Sequence, residues 1–114
     1  MQNPPRVTTT HVRRFHVADE DLVSLAPGSL DPVLSTPRLV WHIEETALEL
    51  LAQYVDDDEV SVGVTVDVSH VGATLLGHEV TCEARVILVD GPMVLFHVEA
   101  REGDRMLLSG VHRR

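Results

Sequence analysis

Residues 35–54 read STPRLVWHIEETALELLAQY, the clearest helical pattern in the chain and the reference point for the elements on either side of it. Its apolar side chains recur every three or four residues, the spacing of one helix face, at Leu39, Ile43, Ala47, Leu50, Leu51 and Tyr54. A threonine before a proline is a good helix cap, so Thr36 is the predicted cap and Pro37 the first helical residue. The acidic run DDDE at residues 56–59 ends the helix and is expected in the following loop.

The sequence after this helix has the two-residue period of β-strands. Valines alternate with small or polar residues over residues 60–68, which makes this the most regular strand pattern in the chain. Further strands are predicted over residues 80–88, 94–100 and 106–111. The turn-forming sequences DGP at residues 90–92 and EGD at residues 102–104 separate these strands, so their connections are short.

The sequence before the helix is less regular. Residues 12–17 form a candidate first strand, and residues 18–35 an irregular segment with room for one helical turn. Residues 1–10 are polar and contain two adjacent prolines, which predicts a loose N-terminal arm. Since no linker or repeat divides the chain, residues 1–114 are expected to form a single domain.

The order of these elements predicts the fold class. One long helix packed on about five antiparallel strands is a stable two-layer α+β arrangement, and it has the shape of a hotdog fold. A domain this small buries a limited share of its surface, and the regular strand over residues 60–68 needs its edge covered. A homodimer or a larger homo-oligomer is therefore expected.

Composition excludes several classes of function. Nine basic residues against 18 acidic ones give a net charge of −9, which argues against binding nucleic acid or an anionic membrane surface. All nine basic residues are arginines, so no lysine can form a Schiff base or a phosphate-loop contact. No apolar stretch approaches the roughly 20 residues of a membrane span, and the N-terminus lacks a signal-peptide core, which favours a cytoplasmic location.

Glu44 differs from the other acidic residues of the helix because its neighbours at three and four residues are all apolar, namely Val40, Trp41, Ala47 and Leu48. A carboxylate in an apolar stripe has a raised pKa unless it is paired, which makes it a candidate general acid or base. The competing interpretation is a glutamate at the edge of the stripe whose carboxylate reaches water. Glu45, which neighbours His42 and Glu49, is expected to be solvated.

His70 ends the most regular strand and begins a glycine-containing loop, a position where functional residues are common. It is a candidate base near neutral pH, or else a half-exposed histidine at a strand end. Thr36 is a candidate nucleophile only if a base lies nearby, and it otherwise serves as a helix cap. Thr36 and Glu44 are separated by about 12 Å along a helix. They therefore need a third group, a substrate along the helix or a subunit interface to share a site.

The remaining histidines and the single cysteine predict no metal site. The six other histidines show no ligand spacing, and one cysteine cannot supply a structural zinc centre. Cys82 alternates with Val80 and Ala84, so it is interpreted as a small buried apolar residue.

Several motifs together resemble the hotdog-fold thioesterases of the fluoroacetyl-CoA thioesterase type, over about residues 15–112. They are VLST (33–36), EETA (44–47), YV (54–55), SVGV (61–64), VSHVGAT (68–74) and SGVH (109–112). The resemblance implies a catalytic set of Thr36, Glu44 and His70, which align with the family pattern without a gap. It also implies substrate contacts at Gly72 and Ala73, and local arginines for the CoA phosphates. Arg85 is the arginine assigned to that contact, and Arg101 and Arg105 are further candidates.

The implied activity is hydrolysis of a small acyl-CoA, in which His70 activates Thr36 or a water and CoA is part of the substrate rather than a cofactor. Family members that select fluoroacetate close the pocket with aromatic residues before the helix, whereas residues 24–31 contain none. Fluoroacetate specificity is therefore not expected. The alternative is a non-catalytic hotdog domain that binds an acyl-CoA or a similar apolar ligand, since fold alone does not separate the two. A cone-shaped α+β isomerase is disfavoured because such folds usually open with helices.

Overall fold

The computed structural model describes residues 1–25, 28 and 30–114. Along these residues, seven strands, one 3-10 turn and one α-helix follow one another. In chain order they are β1 (Thr10–His16), the 3-10 turn (Asp19–Asp21), β2 (Leu22–Val23), β3 (Val33–Leu34), α1 (Thr36–Leu51), β4 (Thr65–His70), β5 (Glu79–Asp90), β6 (Met93–Glu102) and β7 (Arg105–Arg113). None of the described residues forms a helix long and apolar enough to cross a membrane.

Five of the strands form one antiparallel sheet in the order β1-β5-β6-β7-β4, and β2 and β3 pair as a separate small ribbon. Helix α1 packs on one face of the larger sheet, mainly against β5 and β1. The predicted α+β architecture of one long helix on a five-stranded antiparallel sheet is confirmed. In this sheet β4 is an edge strand, with β7 as its neighbour.

The core lies between α1 and the sheet, and the two-residue alternation of β5 and β6 builds it. The buried members of these strands are Val80, Cys82, Ala84, Val86, Val94, Phe96, Val98 and Ala100. From the helix, Leu39, Ile43, Ala47 and Leu50 meet them. Burial of a large side chain here contributes roughly 1.5–3 kcal/mol. Burial also raises the pKa of the Cys82 thiol to about 12, in keeping with its interpretation as a core residue.

The N-terminal segment is docked rather than loose, so the prediction for residues 1–10 is wrong. Its backbone extends the sheet, since the Thr8 N–H donates to Val86 O and the Val86 N–H donates to Thr9 O, at 2.8 and 2.9 Å. The Met1 side chain packs against the core, and its amino group lies 2.7 Å from a Glu59 carboxylate oxygen. These contacts outweigh the polar composition that predicted an arm.

The valine-rich segment over residues 60–68 is a strand only from Thr65 onward. Before Thr65 the backbone contact with β7 is the Val64 N–H, which donates to Arg113 O at 2.8 Å. Val60, Val62 and Val64 are 87%, 66% and 54% exposed. The prediction of a half-buried strand across the whole segment is therefore wrong for its first half.

Residues 18–35 contain the predicted single turn, at Asp19–Asp21, and also the short β2–β3 ribbon. Ala26, Pro27 and Ser29, which the sequence assigns to the irregular segment, lie outside the described residues. The ribbon brings Leu22 opposite Leu34 and so returns the chain to the start of α1.

Candidate active site

The start of α1 is capped by Ser35, not by Thr36. Ser35 has extended backbone angles and its hydroxyl accepts the Arg38 N–H at 3.3 Å, as an N-cap does. Thr36 is the first helical residue, and Pro37 follows it in the first turn. The prediction that Thr36 caps the helix is wrong. Because Ser35 supplies the cap, the Thr36 hydroxyl is free to contact groups outside the helix.

That hydroxyl meets His70. Thr36 Oγ1 lies 2.7 Å from His70 Nδ1, although the two residues are 34 positions apart in sequence. His70 is the last residue of β4 and is paired with Leu108 of β7, so the sheet holds its backbone. The structure thus brings together two of the three residues that the sequence singles out, in the geometry of a hydroxyl nucleophile beside a base.

The other ring nitrogen of His70, Nε2, is buried and has no hydrogen-bond partner among the described residues. If the Thr36 hydroxyl donates to Nδ1, Nε2 carries the proton and is a donor without an acceptor. Such a group costs free energy when buried, and acceptors for a histidine in this role are commonly carboxylates. Nε2 is therefore the side of the ring that is left for a further group.

An open cavity of about 320 Å³ lies beside the Thr36–His70 pair. It is lined by Val23 and Leu25, by residues 33–36 from β3 and the helix start, and by residues 70–73 after β4. Its walls are mostly apolar and its polar groups are few, which is typical of a small-molecule site of this size. The cavity therefore has room for a small acyl group next to the hydroxyl.

Gly72 and Ala73, the predicted substrate-binding residues, belong to this cavity wall. A Cβ on Gly72 would lie 2.8 Å from Met106 O and 3.0 Å from Arg105 Nη1, so only glycine allows this close approach. Arg105 also donates to Ala73 O at 2.5 Å. The loop after His70 is thus held against the Arg105 guanidinium.

Backbone donors at the helix start are scarce. Pro37 has no N–H, and the N–H groups of Arg38 and Leu39 are both taken by Ser35, through its hydroxyl and its carbonyl. The Thr36 N–H is the first-turn donor that remains for a ligand. The N-terminus of a helix can stabilise an oxyanion, and here one backbone N–H beside the Thr36 hydroxyl is left for that purpose.

Glu44 lies elsewhere in the same chain. A Cβ on Gly63 would lie 2.9 Å from Glu44 Oε2, 3.3 Å from His112 Cε1 and 3.6 Å from Arg114 Nη1. Three polar side chains therefore converge on a glycine that leaves them space. The described hydrogen bonds and ion pairs of His70 and Thr36 do not include Glu44, so the structure does not bring the third predicted residue to the pair within one copy.

Glu44 belongs to a partly buried polar cluster, which consists of Glu44, Ser61, His112 and Arg114, the last two fully or almost fully buried. His112 Nδ1 donates to Thr65 O at 2.8 Å, and Arg114 donates from Nε to Ser61 Oγ at 2.7 Å. Burial lowers the pKa of His112 and that of Arg114, while the Glu44 carboxylate opposes both shifts. His112 is fully buried and remains neutral near pH 7.

Sequence reasoning missed His112, Arg114 and Gly63 as members of a functional cluster. Gly63 lies in the motif SVGV and His112 in the motif SGVH, and these motifs indicate the family without indicating a role for either residue. No local pattern could have joined them to Glu44, because they come from separate elements.

Arg85 and Arg101, two of the predicted phosphate contacts, lie on the face of the sheet opposite α1. Their neighbours Ala84 and Ala100 are buried in the core, and the strand alternation directs the arginines outward. Neither lines the cavity beside His70, whereas Arg105 touches its wall. Among the residues described, no group of three or more His, Cys, Asp or Glu side chains is placed to hold a metal ion.

Comparison with known proteins gives a consistent result. The family model described as "Fluoroacetyl-CoA-specific thioesterase" matches residues 17–114. The fluoroacetyl-CoA thioesterase of Streptantibioticus cattleyicolor is 32% identical over 82 residues, which are 72% of this chain and 59% of that protein. The chain thus spans less than two thirds of this relative's length.

Solved structures agree with the sequence comparison. A structure of fluoroacetyl-CoA thioesterase has a TM-score of 0.88 at 26% identity, over 97% of this chain and 87% of the other. A hot-dog-like protein from Thermanaerovibrio acidaminovorans has a TM-score of 0.84, also at 26% identity, over 95% and 80% of the two chains. The predicted hotdog fold is confirmed.

Proposed function

The chain belongs to the fluoroacetyl-CoA-specific thioesterase family, and from that premise we propose that it hydrolyses a small acyl-CoA thioester to a carboxylate and CoA. The observation that carries this proposal is the 2.7 Å contact between Thr36 Oγ1 and His70 Nδ1 at an open, mostly apolar cavity. A hydroxyl beside a histidine is a common arrangement for acyl transfer.

In the proposed reaction, His70 accepts a proton from the Thr36 hydroxyl or from a water as that oxygen attacks the thioester carbon. The carbonyl oxygen becomes an oxyanion beside the Thr36 N–H, and the helix N-terminus favours its negative charge. When the C–S bond breaks, the imidazolium returns the proton to the departing CoA sulfur. If Thr36 attacks, a water then hydrolyses the acyl ester by the same steps. No separate cofactor takes part in these steps.

We propose that the acceptor for His70 Nε2 is the Glu44 carboxylate of a second copy of the chain. Within one copy Glu44 lies with Gly63 and Arg114, not with His70. If two copies of the chain pair antiparallel along residues 60–70, however, His70 of one copy lies opposite residues 60–65 of the other. Gly63 is one of these residues, and Glu44 lies beside it. Its carboxylate would then orient the histidine or the attacking water.

The proposed dimer also accounts for the exposed valines. Val60, Val62 and Val64 are exposed just before β4, an edge strand of the sheet, and uncovered strand edges invite pairing. A two-fold axis through this edge makes a self-complementary interface. The proposed oligomer is therefore a homodimer with two sites, each drawing residues from both copies.

Specificity is proposed to come from the cavity and from Arg105. The absence of aromatic residues over 24–31 argues against selection for fluoroacetate. Arg105, half-exposed at the cavity wall, is the proposed contact for an anionic part of CoA. Arg105→Gln should raise KM with little change in kcat, whereas Arg85→Gln on the far face should leave both unchanged. The cytoplasm is the proposed location, because CoA thioesters are available there.

The proposal is tested by assaying acetyl-, propionyl-, butyryl- and fluoroacetyl-CoA with a thiol reagent that detects released CoA. Turnover of at least one of them is expected, and it should be lost in His70→Ala. A thermal-shift measurement with the same thioesters runs alongside. Binding without turnover would favour the non-catalytic ligand-binding domain instead.

The two-copy site has a test of its own. His70→Ala and Glu44→Gln are each purified, mixed, unfolded and refolded together, so that mixed dimers form. If each site takes His70 from one copy and Glu44 from the other, one site in every mixed dimer is intact, and about a quarter of wild-type activity returns. If both residues act within one copy, every site carries a defect and the mixture stays as inactive as its parents.

A further inference from the structure

A second buried carboxylate, outside the residues used above, lies just ahead of the helix. Asp21 is 2% exposed and ends the 3-10 turn before β2. Its side chain accepts three hydrogen bonds: from the Ala18 N–H at 2.9 Å, from Arg38 Nε at 2.9 Å and from His42 Nε2 at 3.3 Å. Burial acts to raise the pKa of Asp21, but these bonds outweigh it and the pKa is lowered. Asp21 is therefore ionised near neutral pH.

Asp21 contacts one residue before Thr36 in the sequence, Ser35, and one residue after it, Arg38. Its backbone carbonyl accepts the Ser35 N–H at 2.8 Å, and its carboxylate holds the Arg38 side chain. Arg38 in turn donates its backbone N–H to the Ser35 hydroxyl. Ser35 and Arg38 are thus both bonded to the buried Asp21, Ser35 to its carbonyl and Arg38 to its carboxylate.

His42 completes this cluster and keeps it rigid. It is 5% exposed and stacks on Phe15 of β1 at 3.5 Å between ring centroids, with the rings almost parallel. Burial lowers the pKa of His42 despite the nearby Asp21 carboxylate, so the ring is neutral near pH 7 and donates from Nε2. The carboxylate is therefore fixed between α1, the 3-10 turn and the sheet.

We propose that Asp21 is a positioning residue of the site, which holds Thr36 in place against His70 by anchoring Ser35 and Arg38. The inference rests on the proposed thioester hydrolysis. Asp21 does not touch the cavity or the substrate, and it acts through the backbone at the helix start. A small displacement of the hydroxyl from the histidine is costly, because acyl transfer depends on sub-ångström placement of the reacting atoms.

The test compares Asp21→Asn with Glu20→Gln. Glu20 is the preceding residue and faces the same arginine, at 3.9 Å, but its side chain is 77% exposed. Asp21→Asn keeps the shape of the side chain but removes its charge. The amide N–H₂ must face at least one of the three donors, the Ala18 N–H if the amide oxygen stays with Arg38 and His42. On the fastest thioester of the panel, Asp21→Asn should lower kcat about 10- to 100-fold with KM within about twofold. Glu20→Gln should match the wild type.

A second measurement needs no turnover. The Thr36 methyl resonance, observed by NMR in the ligand-free protein, should shift or broaden in Asp21→Asn and stay unchanged in Glu20→Gln. If no thioester is turned over by the wild type, the proposed function fails, while this resonance still tests the positioning. Unchanged kcat in folded Asp21→Asn, an unmoved Thr36 resonance, or an equal kcat loss in Glu20→Gln overturns the inference.

If Asp21→Asn does not fold, Arg38→Met replaces it. Arg38 is partly exposed, and methionine removes both the bond to Asp21 and the guanidinium over the Trp41 ring, while an unbranched apolar side chain remains at that position. The same loss in kcat and the same shift of the Thr36 resonance are expected, to a smaller extent. Wild-type values for both overturn the inference.

Discussion

The two ends of the segment formed by residues 60–70 differ in how far one copy of the chain completes them. At the His70 end, the sheet, the helix start and the following loop surround a hydroxyl–imidazole pair. The Asp21 carbonyl accepts the Ser35 N–H there, and the Glu102 carboxylate accepts from the Thr74 hydroxyl and contacts the His78 ring. At the other end, residues 60–64 leave three valines exposed near the partly buried polar cluster of Glu44, Ser61, His112 and Arg114. The His70 end is the more complete of the two, although His70 Nε2 lacks an acceptor among the described residues of one copy, and the residue 60–64 end is the incomplete one.

The comparison shows that the two ends of residues 60–70 differ both in burial and in whether candidate catalytic side chains meet within one copy. Exposed valines at a sheet edge are unfavourable in water. The exposed valines and His70 Nε2, which is unpartnered in the part of the chain that the structure describes, are both explained if the incomplete end of one copy meets the His70 end of another. The predictions below disturb one end at a time.

The largest expected effect is at the complete end. His70→Ala removes the proton acceptor of the Thr36 hydroxyl, so turnover should fall roughly 10²–10⁴-fold while the fold and the dimer persist. His16→Ala, an exposed histidine at the end of β1, is the matched control and should leave turnover unchanged. Near-normal hydrolysis by His70→Ala would rule out the proposed mechanism.

Disturbing the incomplete end should break the assembly. Val64→Asp places a carboxylate in the proposed interface, and burying an unpaired charge costs several kcal/mol, so the dimer dissociation constant should rise at least about a hundredfold. Light scattering at micromolar concentration should then give a mass near 12.6 kDa, and turnover should fall with it. Val7→Asp, also half-exposed but far along the chain, should stay dimeric. A wild type that is itself monomeric would contradict the dimer.

Glu44→Gln and Glu45→Gln compare the two neighbouring acids of the helix. Glu44 Oε2 faces Gly63, whereas Glu45 affects the cluster through its charge on Arg114. Glu44→Gln should therefore lower turnover roughly 10- to 100-fold, and Glu45→Gln should have little effect. The assay is turnover at saturating thioester, with circular dichroism to verify folding. Equal losses in the two variants would remove the special role of Glu44.

Ser35→Ala and Thr36→Ala separate capping from chemistry within two adjacent residues. Ser35 holds the cap bond, so Ser35→Ala should cost about 1 kcal/mol in the free energy of unfolding. Thr36→Ala should cost less than Ser35→Ala in stability, yet lower turnover more if Thr36 is the nucleophile. Urea denaturation measures the first quantity. The reverse order of stabilities would restore Thr36 as the cap.

The smallest effect expected is a pH dependence of stability at the complete end. Hydrogen bonds from Thr74, His78 and Arg105 lower the pKa of Glu102 from 4.5 to about 2. Since the folded-state value lies below the unfolded one, the ionised carboxylate stabilises the fold above about pH 4.5, and this contribution is lost as the pH falls toward 2.

Between pH 5 and pH 2, the melting temperature should therefore fall less with decreasing pH in Glu102→Gln than in the wild type. Solvent exposure keeps the difference small. Glu79→Gln, an exposed acid on β5, should follow the wild-type curve. Parallel curves for Glu102→Gln and the wild type would show that the carboxylate does not anchor the loop.

Local patterns predicted the long helix and the strands β5, β6 and β7, but not the docked N-terminal segment, the β2–β3 ribbon or the lack of a strand over residues 60–64. The period of the helix and of β5 and β6 predicted which side chains are buried, because burial follows the geometry of one element and its neighbours. The pairing of Thr36 with His70 came from family resemblance, since 34 residues separate them and no local rule links a helix start to a strand end.

The sequence by itself determined the helix, the strand alternation, the acidic surface and the list of reactive side chains, because each of these is a property of neighbouring residues. Only the tertiary structure decided which of them meet. Ser35 displaced Thr36 as the cap because the Asp21 carbonyl and the Arg38 N–H converge on it. Glu44 went to Gly63 and Arg114 because a helix rises about 1.5 Å per residue and carries it away from His70. The first half of the valine segment lies outside the sheet, although its alternation is as regular as that of the second half, because strand pairing joins distant parts of the chain and is not written in any local pattern.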